Sequence, residues 1–185
     1  TALVGAVYDD DKGKSSGSAY VLVRTGTIWS QQAKLTASDG VASDEFGWSL
    51  ALSGDTAVVG ARLNDTTAKD AGSAYVFVRT GTAWSQQAKL TASDGAADDH
   101  FGYSVALSGD TTLVGAVGHD AKGSGSGGAY LFVRTGTAWS QQAKLTASDG
   151  AAGDQFGSSA ALSGDTALVG SIYDDGNKGS AYVFV

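Results

Sequence analysis

The chain has 185 residues with a hydrophobic content of 42%, which is enough apolar material for a sizeable core and excludes a disordered protein. The formal net charge of −7 makes nucleic acid and anionic membrane surfaces poor partners, because both bind basic faces. No Cys is present, so disulfides, thiolate metal sites and cysteine nucleophiles are excluded, and no apolar run approaches the roughly 18 residues needed for membrane insertion.

The chain opens on TALVGA, a buried-looking stretch whose abrupt start suggests a piece of a longer polypeptide. TALVGA returns with small changes at 56, 111 and 166, a spacing of 55 residues each time. AYVLV at 19 returns at 74 and 129, and a last copy at 181 follows a loop that is three residues shorter. Self-similarity at a fixed spacing is typical of repeat folds, so one structural unit is written several times.

Each repeat holds four short stretches with strand periodicity, numbered from the Phe-Gly pair onward. The chain meets segment two first, at TALVGA, whose continuous apolar run predicts a strand buried on both faces. Segment three, SAYVFVRT at 73–80, and segment four, TAWSQQAKLTA at 82–92, both alternate. In segment four we expect Trp84 and Leu90 on one face and Lys89 on the other, which is typical of an outermost strand that touches water.

Segment one begins with the Phe-Gly pair, and FGYSVALS at 101–108 places bulky residues on one face and small residues on the other. That contrast predicts an inner strand packed tightly against its neighbours. Segment one is joined to segment two by Ser-Gly-Asp at 53–55, 108–110 and 163–165. This tripeptide suits a tight hairpin.

Four strands repeated every 55 residues predict an all-β fold of β-propeller-type blades, each a four-stranded antiparallel unit. A β-solenoid is the alternative, although it usually has a shorter period. One repeat domain is expected, in which 1–45 is a partial blade of segments two to four, 46–100 and 101–155 are blades, and 156–185 is a partial blade of segments one to three. These units predict about 14 strands in an incomplete ring of about 3.5 blades, with no helix longer than about two turns.

The repeated residues resemble those of a known family. FG in segment one, VGA in segment two and SAYVF in segment three resemble the FG-GAP repeat, and the longer pattern around ALSGDTALVGA resembles its bacterial branch. The resemblance covers essentially the whole chain and implies a propeller, since such repeats build the head of integrin α chains. It also implies a secreted, extracellular or cell-surface protein, bacterial in origin, that takes part in adhesion or recognition.

Calcium is the cofactor that the resemblance raises, because integrin-type repeats carry a DxDxDG loop between FG and GAP. In this chain that loop has shrunk to Ser-Gly-Asp, and one Asp in a tight hairpin cannot surround an ion that takes about six to eight oxygens. Asp55, Asp110 and Asp165 are therefore expected to cap backbone amides in turns and to hold no metal.

The loop between segments two and three is the better candidate for Ca²⁺, bound by carboxylates and loop carbonyls. Its candidate metal ligands are Asp9, Asp10, Asp11, Asp65, Asp120, Asp174 and Asp175. A solvated acidic loop with Asx turns is the alternative. Two further columns precede the Phe-Gly pair and are expected to cap amides in the crossover between blades. They are Asp39, Asp94 and Asp149, then Asp44, Asp99 and Asp154.

No catalytic constellation stands out. His100 and His119 are the only histidines and lie in loops without a matched nucleophile, and Gly123, Gly125 and Gly128 fit GxGxxG although no helix follows. The sequence therefore favours a non-enzymatic module for adhesion to, or recognition of, a protein or glycan partner. The alternative is a structural subunit of a self-assembling surface filament or multi-chain propeller.

The two ends also predict partners. The first unit lacks its inner strand and the last unit lacks its outer strand, and unpaired edges recruit other strands. We expect the missing contacts to come from self-association with another copy or from the remainder of a longer polypeptide, and we do not expect a closed monomeric ring.

Overall fold

The computed structural model describes residues 1–185 and contains 14 β-strands in four antiparallel sheets. Consecutive strands pair in every sheet, as the hairpin chemistry of their links predicts. The all-β prediction and the strand number are therefore confirmed, and the chain forms an incomplete propeller of about 3.5 blades.

Each sheet is one unit of the repeat, and its strands lie side by side in chain order. The first unit contains β1 (Ala2–Ala6), β2 (Ser18–Thr25) and β3 (Ile28–Leu35). The second blade contains β4 (Phe46–Ser53), β5 (Thr56–Ala61), β6 (Ser73–Thr80) and β7 (Ala83–Leu90). The third blade contains β8 (Phe101–Ser108), β9 (Thr111–Ala116), β10 (Gly128–Thr135) and β11 (Ala138–Leu145). The fourth unit contains β12 (Phe156–Ser163), β13 (Thr166–Ser171) and β14 (Ser180–Phe184).

One short helical turn, α1 (Asp174–Asn177), interrupts the all-β pattern between β13 and β14. Asp175 and Gly176 adopt left-handed backbone conformations inside it, with φ of 52° and 71°, so it is a tight irregular turn rather than a regular helix. The sequence predicted no helix here because its four residues carry no helical periodicity. No helix in the chain has the length and apolar character that crossing a membrane requires.

The hydrophobic core lies between neighbouring units rather than inside any one sheet. In β5, Val59 packs towards the first unit and Val58 packs towards the third blade, and neither side chain is exposed to solvent. A third cluster fills the space between the third blade and the fourth unit. Segment two is therefore buried on both faces, as its continuous apolar run predicts, but only where a unit lies on each side.

The outer strand departs from the predicted alternation. In β7, Phe77 pairs with Gln86 and Val76 pairs with Ala88, so Gln87 is an extra residue that forms a β-bulge. The bulge turns the strand over: Trp84 packs towards the first unit, whereas Leu90 packs towards the third blade. The prediction that Trp84 and Leu90 share one face is therefore wrong, because strict alternation ends at a bulge.

Candidate functional site: seams, acidic loops and open ends

The Phe-Gly and Gly-Ala pairs of the repeat meet across the seam between neighbouring units. A Cβ atom at Gly60 would lie 2.1 Å from the carbonyl oxygen of Gly102 in the next blade, so two backbones touch where no side chain fits. Ser49 Oγ donates a hydrogen bond of 2.7 Å to that same carbonyl. The contact recurs one repeat later among Ser104, Gly115 and Gly157. The family-like motif is therefore the joint between blades.

The Ser-Gly-Asp tripeptides form tight hairpins, as predicted, with Gly54 at a φ of 57°. Their aspartates do not cap backbone amides, however. Asp55 Oδ1 accepts a hydrogen bond of 2.8 Å from Arg79 Nε, and Asp110 Oδ1 accepts one of 2.7 Å from Arg134 Nε. The prediction of amide capping is wrong because the end of segment three brings an arginine beside the hairpin. Asp165 has no such arginine.

In the first acidic loop, a lysine lies between two of the predicted calcium ligands. Lys34 Nζ is 2.9 Å from Asp9 Oδ2 and also contacts Asp11 Oδ2. Hydrogen bonds from Lys34, Ser18 and Tyr20 lower the pKa of the Asp9 carboxyl to about 2. The same contacts raise the pKa of Lys34. The ammonium group of Lys34 therefore occupies the position between these carboxylates that a calcium ion would take.

The remaining predicted ligands mostly bind their own loops. One carboxylate oxygen in each of the first three loops accepts a backbone N–H five residues further on, at 2.7 to 2.8 Å. These residues are Asp10, Asp65 and Asp120. Asp174 Oδ1 accepts the N–H of Asp175 at 2.9 Å. These carboxylates therefore bind the backbone of their own loops, although the N–H groups they accept from are five residues or one residue away and not the two residues of an Asx turn.

The structure brings these carboxylates together only in part. No group of three or more His, Asp or Glu side chains converges in a geometry that holds a metal ion. Calcium takes about six to eight oxygens, and the first loop supplies two carboxylates already paired with Lys34. The donor set of this loop does not fit the ion. Calcium binding elsewhere in the loops stays a prediction, which a melting temperature unchanged by a chelator would contradict.

The two aspartate columns in the crossovers have different tasks. The column nearer the Phe-Gly pair accepts a backbone N–H three residues earlier, at 2.6 to 3.0 Å, which confirms the predicted capping. Its members are Asp44, Asp99 and Asp154. The other column binds side chains of the following unit instead. Its members are Asp39, Asp94 and Asp149.

That second column ties each unit to the next through a tyrosine and a lysine. In the second blade, Tyr75 donates its hydroxyl to Asp39 Oδ1 at 2.9 Å, and Lys89 Nζ donates to Asp39 Oδ2 at 2.6 Å. Partial burial disfavours the charged form of Asp39, but the hydrogen bonds from Lys89 and Tyr75 outweigh it and lower the pKa of the carboxyl. Tyr130, Lys144 and Asp94 repeat the arrangement in the third blade.

The fourth unit has the tyrosine and the carboxylates but no lysine. Tyr182 Oη lies 2.7 Å from Asp149 Oδ1 and 2.5 Å from Asp174 Oδ2. Burial, together with these two carboxylates, raises the pKa of Tyr182. Two negative groups therefore flank one hydroxyl without the cation that accompanies it in the complete blades.

The tryptophan column also differs between units. Trp84 Nε1 donates 3.0 Å to Gln32 Oε1 of the first unit, and Trp139 Nε1 donates 2.9 Å to Gln87 Oε1 of the second blade. Both rings pack on the clusters between units, which confirms the packing interpretation. Trp29, in the first unit, is 49% exposed.

A cavity lies where the third blade meets the fourth unit. Its volume is about 390 Å³. It is lined by Gln142, which continues the glutamine column, and by apolar side chains of the third blade and fourth unit. These include Leu131, Ala143, Leu145, Leu162 and Phe184.

The histidines and the GxGxxG match supply no catalytic site. His119 Nδ1 is 2.9 Å from Asp99 Oδ2, and its other ring nitrogen contacts Lys144. Burial lowers the pKa of His100, with a contribution from Arg62. The three glycines lie in and beside the loop before β10, with no helix after them. Both histidines thus lie in loops, as the sequence predicts.

Exposed large hydrophobic side chains are confined to the two end units. The complete blades, 46–100 and 101–155, have none. The ten residues are Val4, Tyr8, Ile28, Trp29, Val41, Leu168, Ile172, Tyr173, Val183 and Val185. The end units therefore present the apolar surface that is covered elsewhere in the chain.

Sequence reasoning missed the contacts that join units: the glycine–carbonyl seam, the lysine–tyrosine–aspartate links and the tryptophan–glutamine bonds. Each of these residues recurs at the repeat spacing, as Lys34, Lys89 and Lys144 do. Recurrence of polar residues in a strand was therefore the signal that the sequence offered. The sequence does not show which residue each of them contacts, because that residue comes from a different unit.

The FG-GAP repeat model matches the chain four times, at residues 1–22, 29–77, 84–132 and 139–184. No curated protein is similar enough to the chain to count as a match. FG-GAP repeats form propellers and are typically extracellular recognition or adhesion modules, generally without enzymatic activity. With its repeats covering most of the sequence and its seams built from the Phe-Gly and Gly-Ala pairs, this chain belongs to the FG-GAP repeat family.

Proposed function

We propose that the chain is a non-enzymatic recognition and adhesion module, located outside the cell or on its surface, that binds a protein through its two end units. The observation that carries this proposal is the distribution of exposed apolar side chains. All ten large ones lie in the end units and none lies in the complete blades. Contiguous exposed apolar surface marks protein contact sites.

The chemistry of these faces suits a protein partner better than a glycan. Val4 is 48% exposed and Leu168 is 43% exposed, while their counterparts Val59 and Leu113 are fully buried against neighbouring sheets. Faces of aliphatic side chains on one β-sheet are buried by packing against another β-sheet, so a protein that presents a sheet can cover the faces of the end units. A glycan would instead need aromatic platforms surrounded by polar groups, and Tyr8 and Trp29 are the nearest approach to one.

The absence of a shaped catalytic pocket in the complete blades is consistent with a binding role. Both cavities lie beside the fourth unit, one at its outer edge and one between β13 and the β14 loop. Every buried side-chain nitrogen or oxygen atom has a hydrogen-bond partner.

A self-assembling structural subunit is the second candidate, and one observation favours it. The exposed face of the fourth unit carries Leu168, and the exposed face of the first unit carries Val4. These two kinds of face meet at every seam inside the chain, as Val58 and Val114 do. A second copy thus presents the matching surface, and head-to-tail contacts of this kind produce rings or filaments.

The test of the proposal is adhesion of beads coated with the chain to intact cells. We expect adhesion that is lost when the cell surface is treated with protease and kept after glycosidase treatment. Val4→Asp and Leu168→Asp should both reduce it, because each places a charge in an apolar contact. Ala97→Asp, which adds the same charge to an exposed crossover of a complete blade, should not reduce it.

The outcomes separate the candidates. If adhesion is lost after glycosidase treatment but kept after protease treatment, a glycan partner is favoured and the protein proposal is contradicted. If the beads do not adhere but light scattering shows a mass that rises with concentration, the structural subunit is favoured. A chain that does not adhere and stays at 18.5 kDa at all concentrations contradicts both.

A further inference from the structure

We propose that the Asp175–Gly176 pair is a site of spontaneous covalent modification, at which the aspartate closes onto the backbone and reopens as isoaspartate. The chain contains four Asp-Gly pairs with the same two residues but different surroundings in the fold. The other three are Asp39–Gly40, Asp94–Gly95 and Asp149–Gly150. The inference concerns the covalent state of the chain and goes beyond the proposed binding role.

The reaction involves only atoms of the chain and water. The backbone nitrogen of Gly176 attacks Cγ of Asp175 and forms an N–Cγ bond, while the hydroxyl group of the carboxyl and the proton of the nitrogen leave together as water. The product is a succinimide ring. Water then opens the ring at either carbonyl, and opening at the main-chain carbonyl gives isoaspartate, in which the backbone passes through the side chain. Glycine favours the first step because it has no Cβ beside the attacking nitrogen.

The attacking nitrogen is free in only one of the four pairs. The N–H groups of Gly40, Gly95 and Gly150 each donate to the carbonyl oxygen of the residue three positions earlier, at 3.2 to 3.4 Å. The N–H of Gly176 has no acceptor, although the N–H groups of the next three residues donate to carbonyl oxygens. The space beside Gly176 is open as well, since a Cβ there would meet no atom within 4 Å.

The carboxyl group that is attacked differs in the same way. A tyrosine hydroxyl holds each of the other three carboxylates, and a lysine also binds two of them. These contacts join Asp39 to Tyr75 and Lys89, Asp94 to Tyr130 and Lys144, and Asp149 to Tyr182. Asp175 is exposed and bonds through its backbone N–H, which donates to Asp174 Oδ1 at 2.9 Å. Its carboxyl group can therefore turn towards the next nitrogen without losing a partner.

The backbone of the fourth loop is strained where the other pairs are relaxed. Asp175, Gly176 and Asn177 have φ of 52°, 71° and 71°, a run of left-handed conformations that is unfavourable at the two residues with a Cβ. No residue of the other three pairs has a positive φ. Closing the ring changes the backbone torsions, so a strained turn loses less on closing than a relaxed one.

Isoaspartate at position 175 would weaken a link between units. The carbonyl oxygen of Asp174 accepts the N–H groups of Lys178 and Gly179 across the turn, at 3.0 and 3.1 Å. Asp174 Oδ2 lies 2.5 Å from Tyr182 Oη, which also binds Asp149 in the crossover from the third blade. Isoaspartate adds a carbon to the backbone inside this turn, which displaces the groups bound to Asp174. Modified chains should therefore be less stable than unmodified chains.

Peptide mapping of the aged chain tests the assignment. The 185-residue chain is kept in neutral buffer at physiological temperature, digested with trypsin and analysed by mass spectrometry with fragmentation that separates isoaspartate from aspartate. Asp149 and Asp175 lie on the same tryptic peptide, residues 145–178, so their conversion is compared within one molecule. We expect Asp175 to convert at least about tenfold faster than Asp149, because the tied pair reacts only after its turn opens. A succinimide lighter by one water should precede the isoaspartate.

The same measurement in concentrated urea separates the effect of the fold from that of the sequence. Without folded structure, the four pairs should convert at similar rates. The proposal is overturned if the ratio of the rates at Asp175 and Asp149 is the same with and without urea. It is also overturned if Asp175 converts no faster than the other three aspartates in the folded chain.

Lys89→Met provides the converse test in a complete blade. It releases one oxygen of Asp39, while Gly40 keeps its acceptor and Tyr75 keeps its contact. Conversion at Asp39 should therefore rise above that of the parent chain and stay below that at Asp175. An unchanged rate at Asp39 would contradict the protective role assigned to the carboxylate contacts.

Asp175→Glu is the matched variant for the effect on stability. It keeps the negative charge, but its longer side chain closes onto the backbone much more slowly. During storage, the melting temperature of the parent chain should fall as its isoaspartate content rises, and that of Asp175→Glu should stay constant. A parent chain that accumulates isoaspartate at position 175 and keeps its melting temperature would overturn the proposed weakening of the Tyr182 link.

Discussion

The complete blades and the end units are written with almost the same residues but have different surfaces. Val114 in the third blade is fully buried, and Val4 at the same position of the first unit is 48% exposed. Tyr130 in the third blade and Tyr182 in the fourth unit both bind carboxylates, but only the third blade has a lysine beside them. Burial in this fold is thus set by the neighbouring unit, whereas the charge balance around the tyrosine is set by the lysine of the outer strand in the same sheet.

This dependence is typical of repeat arrays, in which each unit contributes an intrinsic stability and an interface with the next unit. The end units have one interface each and the complete blades have two. Substitutions at equivalent positions should therefore change the free energy of unfolding by different amounts. The difference is the contribution of the interface that a complete blade has and an end unit lacks.

The largest difference is expected at the seam glycines. Gly115→Ala would put a Cβ 2.1 Å from the carbonyl oxygen of Gly157, a backbone atom, and should destabilise the chain by about 3 kcal/mol. At Gly170 the nearest atom is Ser159 Oγ, at 2.3 Å, which can rotate away. Gly170→Ala should therefore cost under about 1 kcal/mol. Urea denaturation of the two variants measures this, and equal costs would contradict the seam as the source of strain.

The next largest difference concerns segment two. Val114→Ala removes a fully buried side chain between the second and third blades and should cost about 2 kcal/mol. Val4→Ala, at the equivalent exposed position, should stay within about 0.5 kcal/mol of the parent. Thermal unfolding compares them under one set of conditions. A large cost at Val4 in a monomeric sample would mean that this face is not free.

A smaller difference is expected at the hairpins. Asp110→Ala breaks the 2.7 Å contact with Arg134 Nε, which is largely exposed on the Asp110 side, so it should cost about 0.5 kcal/mol. Asp165→Ala has no arginine partner to lose and should leave the free energy of unfolding unchanged. Raising the salt concentration should reduce the effect at Asp110 alone. An effect at Asp165 equal to that at Asp110 would argue against the arginine pair.

The smallest effect is a difference in acid titration between the first and fourth loops. The pKa of Asp9 is lowered to about 2, so its contribution to stability is present above the ordinary value of 3.8 and is lost as the pH falls through about 2. Lys34→Met should raise the pKa of Asp9 towards 3.8, as followed by carboxyl NMR shifts. The carboxyl of Asp174, whose pKa is lowered by Tyr182 and Ser180, should titrate as before. An unchanged Asp9 titration would exclude Lys34 as the cause.

The fold could be predicted from the sequence because its determinants are local. Alternating residues and the Ser-Gly-Asp hairpins act within a few residues, the 55-residue spacing repeats these local signals along the chain, and 14 strands follow from them. The bulge at Gln87 could not be predicted, since it is defined by the pairing of β7 with β6. Nor could the Asp55–Arg79 pair, because the two residues meet only when segments one and three are folded around segment two.

The candidate site was harder to predict for a related reason. Acidic residues such as Asp9 and Asp11 indicated calcium when considered alone, but the folded chain places Lys34 between them. The cavity beside Gln142 has no sequence signal at all, since its walls come from both the third blade and the fourth unit. The first feature depends on how β3 folds beside the loop of its own unit, and the second depends on which unit lies alongside. The composition of a loop reveals neither.

The glycine–carbonyl seam has a consequence for how such a chain changes in length. Because Gly60 meets Gly102 through backbone atoms and a single serine hydroxyl, the joint does not depend on a side-chain pair unique to those two units. Residues 79–97 and 134–152 are identical in sequence, so the surroundings of the joint are interchangeable as well. A duplicated unit inserted between two others would find a joint already shaped for it on both sides. The backbone joint itself therefore accepts a change in copy number by whole repeats.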